Sequence, residues 1–397
     1  MAYSFSTDDG ADFAVQTMLG GVAFGLGDVG EILQTVEQIP AGDDTAWSAA
    51  FRALAQRVET IADTARRDGC LRSGRDAYLR AAVYYAAAQD GELSGTDDDA
   101  IRRTFRDHRR CWDSFADLNE PTLERVAIPY DGSTMPGYFL PVDGTRRPTV
   151  VVVNGSDGAL TWVWSLAQAA HDYGFNALLF DGPGQQSMLF ERQIPFRPDW
   201  EAVITPVIDF LLDRAEVDPH QLVLYGGSQA GFWVPRALAF EHRFAAAVAD
   251  PGVVDVSASW MAHLPKELID LLDTGDAADF NAAMTQGLQD PGFQAMWNFR
   301  ARPYGTFNPY DVFTKMRQYN LTGVAGQITT PLMISDPEGE QFWPGQSRKL
   351  AELVSGPSHL VAFTADEGAD RHCEPLARTL LHQRMFDWLA TVLPARN

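Results

Sequence analysis

The run Gln221-Leu222-Val223-Leu224-Tyr225 passes directly into Gly226-Gly227-Ser228-Gln229-Ala230-Gly231 and then into helical residues 232–240. A strand that turns within a few residues into a helix leaves the side chain at the turn, here Ser228, standing at the edge of a sheet. The turn is sharp, so only small residues fit two positions to either side, and Gly226 and Ala230 meet that need. A Gly-Gly-Ser segment by itself also serves as an ordinary turn or N-cap. Its position after an apolar strand and before a helix favours a nucleophile instead. The helix N-terminus beside it favours a developing oxyanion.

The chain around this turn has the pattern of a mostly parallel sheet with flanking helices. After Pro121, short β-rich runs alternate with helical ones, at 123–128, 135–140, 149–154, 176–180, 221–225, 245–250, 332–335 and 360–363. Asp131-Gly132 joins the first two as a hairpin. The unbroken run Val150-Val151-Val152-Val153 is what a strand buried on both faces requires. A last helix follows from about residue 375 to 393. Residues 253–326 hold no strong strand but several helical pieces and the aromatics Trp260, Phe280, Phe293, Trp297, Phe299 and Tyr304. Inserted between two strands, they are expected to cap the active-site crevice. Before residue 120 there is no strand signal. Ala49, Phe51, Leu54, Ala55, Val58, Ile61, Ala62 and Ala65 recur at helical spacing, and further helices are expected at 73–88 and 97–116. The expected organisation is an all-α domain over 1–120, then an α/β catalytic domain over 121–397 with its helical cap at about 253–326.

Length and composition narrow the rest. In 397 residues, 46% are hydrophobic and 21% charged, enough apolar surface for a sizeable core. With 53 Asp and Glu against 31 Lys and Arg, the net charge of −22 repels nucleic acid and anionic membranes. Cys70, Cys111 and Cys373 form no disulfide framework and show no zinc spacing, and no residue pattern requires a metal or other cofactor. No leader-like segment opens the chain and no stretch of about 18 apolar residues occurs, so a cytoplasmic location is expected.

A strand–nucleophile–helix turn in a parallel sheet is the mark of the α/β-hydrolase fold, in which the triad follows the chain order serine, acid, histidine. Of eight histidines, only His372 stands in the loop after the last strand and before the last helix. The acid is expected after residues 331–335, where the turn offers Asp336, Glu338 and Glu340. A turn of about four residues before the acid selects Glu340, with Asp336 as the alternative. Oxyanion donors are expected from the backbone of Gln229 and of the turn Asn154-Gly155-Ser156-Asp157-Gly158, with Ser156 preferred. Gly155, Asp157, Trp260 and Phe232 are the candidates for touching substrate; Asp157-Gly158 also reads as a plain turn.

These residues resemble a group of α/β-hydrolases with an N-terminal helical domain, which includes 2,6-dihydroxypseudooxynicotine hydrolase and the fungal polyketide-shortening pigment hydrolases. The resemblance rests on Tyr78-Leu79-Arg80-Ala81-Ala82-Val83-Tyr84, Ile128-Pro129-Tyr130, Pro136-Gly137-Tyr138-Phe139 and Phe180-Asp181-Gly182-Pro183-Gly184-Gln185. Arg197-Pro198-Asp199-Trp200-Glu201, Val217-Asp218-Pro219, the Ser228 turn and Ala249-Asp250-Pro251-Gly252 extend it over about residues 45–390. It implies a Ser228–Glu340–His372 triad, although the family more often has Asp at the acid position. It also implies a site between the helical domain and the sheet, a small-molecule substrate and a homodimer. The implied activity is cleavage of a C–C bond beside a ketone in an aryl ketone, β-diketone or polyketide-like molecule. An esterase, or an acyltransferase or cyclase of secondary metabolism, would use the same triad. A catalytically silent ligand-binding relative is the remaining alternative, against which a complete triad argues.

Overall fold

The structure, a computed structural model, describes residues 3–393. Five helices precede the first strand: α1 (Asp9–Gly21), α2 (Val29–Val36), α3 (Asp44–Arg67), α4 (Leu71–Leu93) and α5 (Asp98–Leu118). Each of them except α4 starts at an aspartate whose carboxylate accepts from backbone N–H groups of the first turn, as Asp8, Asp28, Asp43 and Asp97 do. Helix α4, rich in Ala and Tyr, is buried around most of its circumference between its neighbours. The first two helices lie where the sequence pattern predicts none.

The hairpin follows as β1 (Glu124–Tyr130) and β2 (Ser133–Leu140). Asp131 and Gly132 both have positive φ, 41° and 73°, as a two-residue turn between twisted strands demands. Next come β3 (Arg147–Val153), α6 (Trp164–Asp172), β4 (Asn176–Phe180), α7 (Gln186–Phe190), α8 (Glu201–Leu212), β5 (Val217–Gly227), α9 (Ala230–Leu238) and β6 (Ala246–Asp250). The insertion holds α10 (Ala258–Met261), α11 (Lys266–Thr274), α12 (Ala277–Gly287), α13 (Pro291–Ala301) and α14 (Pro309–Met316). The chain ends with β7 (Leu332–Pro337), α15 (Gln346–Leu353), β8 (Ser358–Phe363) and α16 (Arg378–Val392).

The eight strands form one sheet in the order β1-β2-β4-β3-β5-β6-β7-β8, antiparallel through β1, β2 and β4 and parallel from β4 to β8. Alternation along β3 separates two cores. Val151 and Val153 face α8, α9 and the inserted helices, whereas Val150 and Val152 face α6, α16 and the N-terminal helices. The N-terminal helices therefore share a hydrophobic core with the sheet. At that junction Trp112 of α5 meets Tyr138 edge-on at 5.6 Å and Trp164 at 5.9 Å. Nearby, the half-buried Arg109 of α5 pairs at 2.5 Å with buried Asp181, just after β4. No helix among the described residues is long and apolar enough to cross a membrane.

Candidate active site

Ser228 follows β5 with φ +57°, a conformation that costs a non-glycine residue about 1–3 kcal/mol. Its surroundings hold it there. The Ser228 N–H donates to the Asp250 carbonyl at 2.7 Å, and the Ser228 carbonyl accepts from Gly231 at 2.8 Å. The small residues beside it are sterically required. A Cβ on Gly226 would lie 2.4 Å from the Ala230 carbonyl oxygen, and one on Gly231 would lie 1.8 Å from that of Pro251. A Cβ on Gly155 would meet Ser228 itself, 2.7 Å from its Cβ and 3.1 Å from Oγ. The loop after β3 thus lies directly against the serine.

His372 stands in the loop between β8 and α16, with Nε2 2.9 Å from Ser228 Oγ. Its Nδ1 lies 2.9 Å from Oε2 and 3.0 Å from Oε1 of Glu340. Glu340 is nearly buried in the turn after β7, and its Oε1 also accepts from the N–H groups of Phe342 at 2.9 Å and Trp343 at 3.1 Å. Burial pushes its carboxyl pKa up. The neighbouring imidazole, its hydrogen bond and the two backbone donors outweigh that and leave the pKa below the ordinary 4.5. The imidazole packs against Phe342 at 4.7 Å, Trp343 at 5.7 Å and Phe13 of α1 at 6.2 Å, while Gln341 Oε1 accepts the His372 N–H at 3.0 Å.

Asp336 and Glu338 lie elsewhere. Asp336 accepts from Arg348 Nε at 2.8 Å, and Glu338 accepts from the Ala365 N–H at 3.0 Å. Strand alternation explains Asp336, because a residue still inside β7 points its side chain to one face of the sheet rather than off its end.

The loop 154–158 is closed by its own first residue. Asn154 Oδ1 accepts from Gly155 N–H at 2.8 Å, and its Nδ2 donates to the Ala159 carbonyl at 2.8 Å. Gln185 donates to the carbonyls of Asn154 at 2.7 Å and Gly155 at 2.9 Å, so the loop after β4 braces the loop after β3. The N–H groups of Ser156 and Gln229 make no hydrogen bond within the described residues, and both residues border the cavity in front of Ser228.

That cavity encloses about 2210 Å3 between the C-terminal ends of the strands, the inserted helices and the N-terminal helices. Gly155, Asp157 and Trp260 line it. Trp260 stacks edge-on against Trp297 at 5.8 Å and Phe313 at 5.6 Å. Asp157 forms an ion pair with Arg300 of α13. One expectation about its walls fails. Phe232 does not line the cavity: it is fully buried on the inner face of α9, packed against Tyr319 at 5.5 Å. Phe280 is likewise absent from the walls and belongs to the core of the inserted helices, against Tyr310 and Phe313. Conversely, Phe5, Phe13 and Thr17 from the first 20 residues border the cavity, although their sequence carries no recognisable motif. Phe342 and Trp343 could have been found, since both adjoin Glu340 in the chain.

No family model matches the chain. Among curated proteins it is 30% identical over 361 residues to the alpha/beta hydrolase xenA of Xenoacremonium sinensis, covering 85% of this chain and 84% of that one. It is 28% identical over 400 residues to the 20-hydroxy-prefusarin hydrolase FUS2 of Gibberella moniliformis, with 95% of each chain covered. The fold is similar to the crystal structure of 2,6-dihydroxy-pseudo-oxynicotine hydrolase, with a TM-score of 0.74 and 20% identity over 94% of this chain and 95% of that one.

Proposed function

Because this chain belongs to the α/β hydrolases, we propose that it uses Ser228 as a nucleophile on a ketone carbonyl and cleaves the adjacent C–C bond of an aryl ketone or β-diketone. The observation that carries this reading is the unbroken hydrogen-bond chain from Glu340 through His372 to Ser228 Oγ, opening on a large cavity. With its Nδ1–H donated to Glu340, the imidazole presents an unprotonated Nε2 that accepts the Ser228 proton as Oγ bonds to the carbonyl carbon. The resulting oxyanion accepts from the N–H groups of Gln229 and Ser156. On collapse the C–C bond breaks and its electron pair leaves with the carbon fragment, delocalised as an enolate or phenolate. The proton on Nε2 is then delivered to that fragment. Water, deprotonated by the same nitrogen, releases the acyl group as a carboxylic acid and restores Ser228.

Expelling carbon demands a leaving group that spreads its charge, hence the ketone or diketone. The aromatic wall around Trp260 suits a flat, conjugated molecule of that kind. Two similar proteins, named as hydrolases of 20-hydroxy-prefusarin and of 2,6-dihydroxy-pseudo-oxynicotine, support a small-molecule substrate. Ester hydrolysis or acyl transfer on the same acyl-enzyme is the second reading. It is favoured by a cavity large enough to hold an acyl chain and an acceptor together. Aryl ketones, β-diketones and esters assayed side by side on the wild type and Ser228→Ala decide between these readings. Turnover confined to esters refutes C–C cleavage, and turnover retained by folded Ser228→Ala refutes the nucleophile.

A further inference from the structure

Three of the charged side chains that line the cavity come from separate parts of the fold. Asp157 stands on the loop after β3, Arg300 on α13 and Asp90 on α4. Asp157 and Arg300 satisfy each other as an ion pair. Asp90 has no such partner: among the described residues no ion pair or hydrogen bond reaches its carboxyl group. The contrast along α4 is plain, because Asp76 pairs with Arg75, Arg80 with Glu31, and Glu92 with Arg52.

Asp90 is also badly placed for stability. It lies three residues before the end of α4, where the helix dipole disfavours negative charge. Its neighbour Gly91 is pressed against α3 so closely that a Cβ would lie 2.6 Å from the Asp44 carbonyl oxygen, which fixes this part of α4 in place. An acid that is unpaired, dipole-opposed, rigidly mounted and turned to a cavity contributes nothing to the fold that Asn or Leu would not.

We infer that Asp90 is a specificity-determining residue: its carboxyl group hydrogen-bonds a second oxygen of the substrate, other than that of the carbonyl that Ser228 attacks. The inference rests on the cavity being the substrate site. Burial, followed by the charge of Asp157, raises the Asp90 pKa well above the ordinary carboxylate value, which favours the protonated form that can donate a hydrogen bond. The other charged groups that line the cavity include Arg300, paired with Asp157, and Asp43 and Asp44 at the start of α3. A protonated carboxyl group selects an acceptor such as a carbonyl oxygen, and discriminates against the analogue that lacks one because the donor is then left unpaired. A β-diketone supplies such an acceptor in its second carbonyl.

The test compares binding of nonane-2,4-dione with that of nonan-2-one, by calorimetry on the full chain carrying Ser228→Ala so that neither ligand is turned over. The dione is expected to bind more tightly. Asp90→Ala should remove about tenfold of that preference, the worth of one hydrogen bond. Asp90→Asn, which keeps a donor, should retain most of it. Both variants should melt no lower than their parent. A parent without preference for the dione, or a folded Asp90→Ala variant that keeps the preference, overturns the inference. Labelling of Asp90→Ala in the Ser228 background by a fluorophosphonate separates the two claims. Normal labelling with lost preference supports Asp90, whereas failure of labelling in the wild type as well strikes the nucleophile.

Discussion

Replacing Glu340 by Gln changes one oxygen for an NH2 group, and the surrounding donors dictate which one. Oε1 accepts from the Phe342 and Trp343 N–H groups, so the amide oxygen must take that position and the NH2 group the position of Oε2. There it faces His372 Nδ1 at 2.9 Å as a donor. Nδ1 could then keep its proton only by donating to the amide oxygen at 3.0 Å, which already accepts from two backbone N–H groups, so the NH2 group favours the tautomer with the proton on Nε2, where the nitrogen 2.9 Å from Ser228 Oγ can no longer take the serine proton. In a serine protease triad that tautomer error costs on the order of 10⁴ in kcat, equivalent to about 5.5 kcal/mol in the barrier. Glu340→Gln should therefore lose about that factor in kcat for any substrate the wild type accepts. Its near-isosteric side chain should leave the fold intact, to be checked by thermal unfolding. Asp336→Asn is the control and should keep wild-type kcat, because Asp336 pairs with Arg348. A Glu340→Gln enzyme within about tenfold of wild type would refute the assignment of Glu340 as the orienting acid.

Gly155→Ala drives a Cβ to within 2.7 Å of Ser228 Cβ, so the serine must shift; kcat should fall by about a hundredfold, as for a misplaced reacting group. Phe13→Ala removes one wall of the His372 ring and should lower both kcat and stability, the latter by about 1–2 kcal/mol in denaturant titration. The depressed pKa of Glu340 makes its carboxylate a stabilising group above its unfolded value near 4.5. That contribution should disappear as the pH falls through the lower folded value, and Glu340→Gln should flatten this part of the stability–pH curve.

Much of the sheet and of the site geometry is legible in the sequence, because both depend on local pattern and strand order. Val150 to Val153 announce a doubly buried strand, and Ser228, Glu340 and His372 each follow a strand in the order the fold imposes. What is not legible depends on which way a helix turns. Phe232 lies four residues past Ser228 and reads as a neighbour, yet its position on α9 directs it into the core. Helix α1 ends in Gly20-Gly21 and α2 has only eight residues, so neither carries a long periodic pattern. The place of α1 beside His372 comes from tertiary packing, including the close approach of Gly20 to the Pro375 carbonyl. Asp90 is inconspicuous in a long helix, and only the cavity gives its lack of a partner meaning.

Covalent labelling of the intact protein with a fluorophosphonate, followed by peptide mapping, tests the assignment of Ser228 most directly. One adduct per chain is predicted, on Ser228, forming at a rate that Glu340→Gln reduces sharply and Asp336→Asn leaves unchanged. Folded protein that takes up no label, or that carries it on another residue, would contradict the account.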